Sequence, residues 1–159
     1  MAGKAPLGLR VLCLGNEMLG DDAFAFRVAE HLRQSPAGEI EVVTSSASGF
    51  YLLDDLSGCR EMIVVDVLET GKAAPGTISE FREQDISPIP GAFPHGIGLF
   101  QVLELGRALG MPVPSEVTFL TVEPFDCLTV GGTMNEAVAQ AVEQVVSRVR
   151  ELAGRHASA

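Results

Sequence analysis

The chain has 159 residues, 47% of them hydrophobic and 20% charged, so it can bury a full core and is not disordered. A net charge of −10 argues against a nucleic-acid backbone or an anionic membrane surface as partner. No apolar run is long enough to span a membrane, and Met1 to Pro6 lack the apolar core of a signal peptide. Three scattered cysteines (Cys13, Cys59, Cys127) make neither a disulfide framework nor a paired zinc motif, which points to a reducing, cytoplasmic setting.

In chain order, strands are expected at Leu9 to Leu14, Ile40 to Ser45, Met62 to Leu68, Thr77 to Phe81 and Val117 to Val122. Helices are expected at Asp22 to Gln34, Phe50 to Leu56, Gly98 to Leu109 and Met134 to Ala153. The first helix gathers Phe24, Ala25, Val28, Ala29 and Leu32 on one face; the last gathers Val138, Ala141, Val142, Val145 and Val149. Asp21 or Asp22 is placed to cap the first helix, and Thr133 or Asn135 the last. Strands alternating with helices predict one three-layer α/β/α domain over 1–159, with a largely parallel sheet. One connection breaks the pattern. Glu69 to Gly76 is too short for a helical crossover, so the fourth strand should run antiparallel, at a sheet edge. Gln84 to Pro94, with three prolines and no periodicity, reads as a functional loop.

Three places carry chemistry. Val11 to Leu14 enters a loop, Gly15-Asn16-Glu17-Met18-Leu19-Gly20, that ends in Asp21-Asp22. In an open α/β sheet that loop lies on the rim where ligands bind. Asp66 ends an otherwise aliphatic run, Ile63 to Leu68; it either bonds a local turn or serves the same crevice from the neighbouring strand. His95 follows the proline-rich loop and precedes the third helix; by itself it could equally be a surface or capping residue. Two carboxylates and an imidazole from separate loops would leave coordination positions open on a divalent ion such as zinc, nickel or manganese.

Other residues read more simply. Glu17 is a solvated loop residue, His31 and His156 are surface histidines, and the cysteines are apolar filler. Ser45, Ser46 and Ser48 lack a recognisable His and base order, and Gly15-Asn16 with Gly20 fits no phosphate or dinucleotide loop.

Taken together, Gly15-Asn16, Asp21-Asp22, Asp66 and His95 resemble the motifs of the hydrogenase maturation endopeptidases. Val122-Glu123-Pro124 and Gly131-Gly132 add to the likeness, which runs from Leu9 to about Leu152. The resemblance implies a phosphorylase/hydrolase-like fold whose five-stranded mixed sheet has order 2-1-3-5-4, strand 4 antiparallel. It implies that Asp22, Asp66 and His95 form the catalytic and metal-binding set. They would meet nickel carried by a hydrogenase large-subunit precursor, with zinc or cadmium able to substitute in crystals, before a C-terminal extension is removed. Ala23 and Ala25 stand where many members have glycine, and Ser45-Ser46-Ala47-Ser48-Gly49 replaces a more glycine-rich loop. Some members carry Glu where this chain has the shorter Asp22. The expected protein is a monomeric peptidase with that precursor as partner and no nucleic acid or membrane. The alternative is a metal-sensing maturation chaperone without catalysis. A nucleoside or peptidyl-transfer hydrolase on a similar sheet would want a basic cluster on the rim, and none is seen.

Overall fold

The computed structural model describes residues 7–36, 38–85 and 98–158. Five strands, β1 (Leu7–Leu14), β2 (Ile40–Ser45), β3 (Cys59–Val67), β4 (Ile78–Arg82) and β5 (Glu116–Val122), pair in the order β2-β1-β3-β5-β4. β1 lies parallel to β2 and β3, and β3 parallel to β5. β4 runs antiparallel to β5 at the sheet edge, as its short connection requires.

Side chains alternate across the sheet with a period of two. Leu9, Val11 and Cys13, with Ile63, Val65 and Val67, meet α1 (Phe24–Gln34) and α4 (Glu136–Ala157) on one face. Leu12, Leu14, Met62, Val64 and Phe119 pack on the other face with α2 (Leu52–Leu56) and α3 (Gly98–Ala108). Both faces of the central strands are therefore covered, which is why they read as continuous aliphatic runs. The sequence 62, 64, 66 puts Asp66 in register with the row that faces α2 and α3.

Several expected boundaries move, each for a local reason. β3 begins at Cys59, ahead of the expected Met62, because Arg60 and Glu61 sit at the solvated start of the strand and broke the apolar pattern. Asp21 and Asp22 do not cap α1. They lie inside a 3-10 turn, Gly20–Ala23, and α1 starts at Phe24 without a side-chain cap. Asn135 does cap α4, its side chain accepting the Ala137 N–H at 2.9 Å. α4 continues past Ala153 to Ala157, where Arg155 and His156 complement its carbonyl end. His156, expected as a surface histidine, is consequently carried on that helix to the sheet: its Nδ1 lies 3.0 Å from a Glu61 carboxylate oxygen on β3. His95 and most of the proline-rich loop lie outside the described residues. No helix among the described residues is long and apolar enough to cross a membrane.

Burial pushes the Cys13 thiol up to about 12; Arg33 opposes the rise and Asp66 adds to it. The folded chain thus keeps a proton that the unfolded chain releases near 9.0, so this contribution to stability is full below that value and lost as pH climbs toward 12. Cys13→Ala, less stable than the parent at neutral pH, should accordingly lose less stability than the parent between about pH 9 and 11. Urea midpoints measured across that range check it.

Candidate functional site at the carboxyl edge of the sheet

The carboxyl ends of β1, β2, β3 and β5 lie along one edge, because those strands are mutually parallel. The loop leaving β1 there is closed on itself. Asn16 donates its N–H to the Asp22 carbonyl at 3.0 Å and accepts from Leu19 N–H at 3.2 Å. Its side-chain oxygen takes the Met18 N–H at 3.0 Å. A β-carbon at Gly15 would sit 2.5 Å from the Asp22 carbonyl oxygen, so only glycine lets the loop fold back this tightly. This is the physical content of the Gly-Asn motif: it fixes where Asp22 begins.

Asp21, 1% exposed, is an anchor between loops. Its Oδ2 accepts N–H bonds from Phe125 at 2.6 Å and Asp126 at 2.8 Å, and its Oδ1 accepts from Asn135 at 2.7 Å. Its own N–H donates to the Asp126 carbonyl at 2.8 Å. A buried carboxylate that accepts several backbone N–H bonds has its oxygens satisfied. Gly20 (φ +43°) makes the approach possible, since a β-carbon there would lie 2.6 Å from the Asp126 carbonyl oxygen.

Asp22 and Asp66 are also 1% exposed. The 3-10 turn bearing Asp22 packs beside β3, whose last residues are Asp66 and Val67. Asp66 Oδ1 accepts the following Val67 N–H at 2.8 Å. Cys127, buried in the loop after β5, marks the neighbourhood they share. Burial pushes its thiol up to about 12, and the negative charges of Asp22, Asp21, Glu69 and Asp66 add to the rise in that order. The structure thus brings two of the three expected ligands to one edge, while His95 is outside the described residues. Among the described residues, no three His, Cys, Asp or Glu side chains cluster as a metal-holding set.

Glu123 has a structural task that its sequence context did not reveal. Its carboxylate accepts the Thr70 and Gly71 N–H groups at 3.0 and 2.9 Å, and the Thr70 hydroxyl at 2.7 Å, tying the β3–β4 loop to the end of β5. Ser45 is structural too: its hydroxyl donates to Asp55 at 2.7 Å and accepts the Ala47 N–H at 3.1 Å. Glu17 is exposed, as expected of a loop carboxylate.

The family model for hydrogenase maturation proteases (HycI) matches residues 26–152. The chain belongs to the hydrogenase maturation protease family. The hydrogenase 2 maturation protease of Escherichia coli K12 is 31% identical over 153 residues, covering 89% of this chain and 90% of that protein. The hydrogenase maturating endopeptidase HybD of E. coli matches in structure with a TM-score of 0.71 and 28% identity, covering 91% of this chain and 93% of its own. HybD of Thermococcus kodakarensis, 20% identical, shares the fold with a TM-score of 0.75 over 91% of this chain and 98% of its own. As a hydrogenase maturation protease, the chain is a peptide hydrolase.

Asp21→Ala should destabilise this protease by at least about 3 kcal/mol, because it leaves backbone donors of the rim without their charged acceptor. Urea unfolding measures the loss. An unchanged midpoint would show that the two loops are held together by other means.

Proposed function

We propose that this protease removes a C-terminal extension from the nickel-loaded precursor of a nickel–iron hydrogenase large subunit, and that Asp22, Asp66 and His95 recognise the nickel. The observation that carries the reading is the pair of buried carboxylates at one sheet edge, Asp22 on the turn that packs beside β3 and Asp66 near that strand's carboxyl end. Concentrated negative charge in a desolvated place favours a divalent cation, which relieves the like-charge repulsion. Carboxylate oxygens suit borderline ions, and an imidazole would complete a mixed donor set.

The position of α3 supports the third ligand. The chain leaving α3 meets the start of β3, where Gly58 N–H bonds Pro112 O at 2.8 Å and Ser115 N–H bonds Arg60 O at 3.0 Å. That end of α3 is therefore at the amino edge. Its first residue, Gly98, is about 16 Å further along the helix axis. α3 packs on the turn Gly49–Tyr51 that follows β2 at the carboxyl edge. His95 precedes Gly98 by three residues in the chain.

The ion here is cargo of the substrate, which this site would read before the bond is cut. Three protein ligands leave positions for donors from the precursor itself, so a loaded precursor binds by metal–ligand bonds that an empty one lacks. Hydrolysis adds one water across the amide, and a carboxylate near the bond can take the proton from that water. Asp22, on a turn fixed by the Gly15–Asn16 loop, is the residue we assign to that step.

Intact-mass measurements of the precursor before and after incubation test the proposal. Nickel-loaded precursor should lose a C-terminal piece and chelator-stripped precursor should stay whole; equal cleavage of both would rule out metal recognition. A loaded precursor that binds without shortening would instead make the chain a metal-sensing chaperone.

His95→Ala should abolish processing while shifting stability by no more than about 0.5 kcal/mol, because the sequence sets His95 apart from the apolar faces of the strands and helices. Processing at the parental rate would remove His95 from the recognition set.

A further inference from the structure

Six large apolar side chains stand exposed on the loops of the carboxyl edge: Met18, Phe50, Tyr51, Phe125, Leu128 and Val130. Leu128 is 85% exposed, Phe125 72%, Val130 69% and Met18 64%. Scattered exposed hydrophobics are ordinary, but a concentration of them beside a functional edge marks an interaction surface. Met18 and Val130 belong to adjacent backbones, since Leu19 bridges Val130 and Gly131 N–H bonds the Met18 carbonyl at 2.8 Å. The loop after β5 is held open in this shape. Asp21 grips Phe125, Asp126 and Asn135, and the Asp126 carboxylate accepts N–H bonds from Leu128 at 2.8 Å and Thr129 at 3.2 Å. These anchors keep the apolar side chains facing outward, where collapse would otherwise bury them.

The charge around the ridge is one-sided. The loops after β1, β2, β3 and β5 carry Glu17, Asp21, Asp22, Glu69, Glu123 and Asp126 against one cation, Lys72. A second copy of this chain would bring the same acidic edge face to face, which like charge opposes. A complementary occupant is apolar and basic.

We propose that the ridge of Met18, Phe125, Leu128 and Val130 seats a segment of the hydrogenase precursor in which apolar side chains alternate with Lys, Arg or His. The inference rests on the peptidase reading and assigns the part of the surface that grips protein, separately from the carboxylates that meet the metal. Seating here would hold the substrate beside Asp22 and Asp66 through contacts that are the same before and during bond cleavage. The ridge should therefore govern KM and leave kcat unchanged.

The test uses the triple variant Met18→Ser, Leu128→Ser, Val130→Thr, all at exposed positions, with circular dichroism and urea unfolding to confirm the fold. Processing kinetics and precursor binding to immobilised protease are measured for parent and variant, at about 50 mM and about 500 mM salt. The expected result is a KM at least about tenfold higher in the variant, kcat within about twofold, and weaker parental binding at the higher salt. If the parent cleaves and the variant cleaves with the same KM, the docking surface is elsewhere and the peptidase reading stands. A loss confined to kcat also overturns the ridge. So does a parental dimer, seen by analytical ultracentrifugation, that the substitutions dissolve. A parent that neither binds nor cleaves any of a panel of loaded precursors overturns the peptidase reading, and the docking surface falls with it.

Discussion

Asp21 accepts backbone N–H bonds from residues 104, 105 and 114 positions further along the chain. Through these bonds the loop after β1 and the loop after β5 become one surface, although the strands that bear them are not neighbours in the sheet: β3 lies between them. The geometry of Asp22 follows from this constraint. It is the next residue, in a short 3-10 turn whose carbonyl is gripped by Asn16 and whose predecessor is locked from the other side. Of the two adjacent aspartates, Asp21 spends its charge on backbone donors, and Asp22 lies buried at the edge it shares with Asp66. An acidic pair at a strand-to-helix junction need not be two copies of one role.

The order of strands gives that arrangement its meaning. Right-handed crossovers place β1 and β3 side by side, so residues at their carboxyl ends meet without any sequence proximity. β5 joins on the far side of β3, and its following loop arches over to Asp21. Glu123 repeats the device at the other flank, gathering the β3–β4 loop with its carboxylate. The rim is held by anions that accept backbone hydrogen bonds, and each such bond exceeds a neutral one in strength. A chain with net charge −10 uses part of its acidity structurally.

Much of this is legible in the sequence. β1 and β3 announced themselves as aliphatic runs because both of their faces are buried, and the antiparallel β4 followed from a connection too short to cross over. Asp66 stood out because a carboxylate among Ile63, Val64 and Val65 demands a reason. The role of Asp21 was not legible: an N-cap and a long-range anchor look the same in sequence, since both are an Asp just ahead of a helix. The His156–Glu61 contact was hidden for a similar reason, as it joins the last helix to β3 across nearly a hundred residues. The exposure of Met18, Leu128 and Val130 was hidden too, because residue type in a loop does not say which way it faces.

Burial and exposure are sorted with unusual sharpness at this edge. The charged groups Asp21, Asp22, Asp66 and Glu123 are inside, and apolar Leu128, Phe125 and Val130 are outside. Folding alone would favour the reverse, since buried charge must be compensated and exposed Leu forfeits its transfer free energy. Asp21 and Glu123 are compensated by backbone donors, so for them burial builds the frame. The outward Leu128, Phe125 and Val130 gain nothing within the chain by standing in water. Their cost becomes intelligible when a second surface covers them, and a macromolecular substrate can do so while a small one cannot. On the proposed docking surface the inversion has a use: charge is arranged within, apolar surface is left without, and a protein substrate would bring the complement of both.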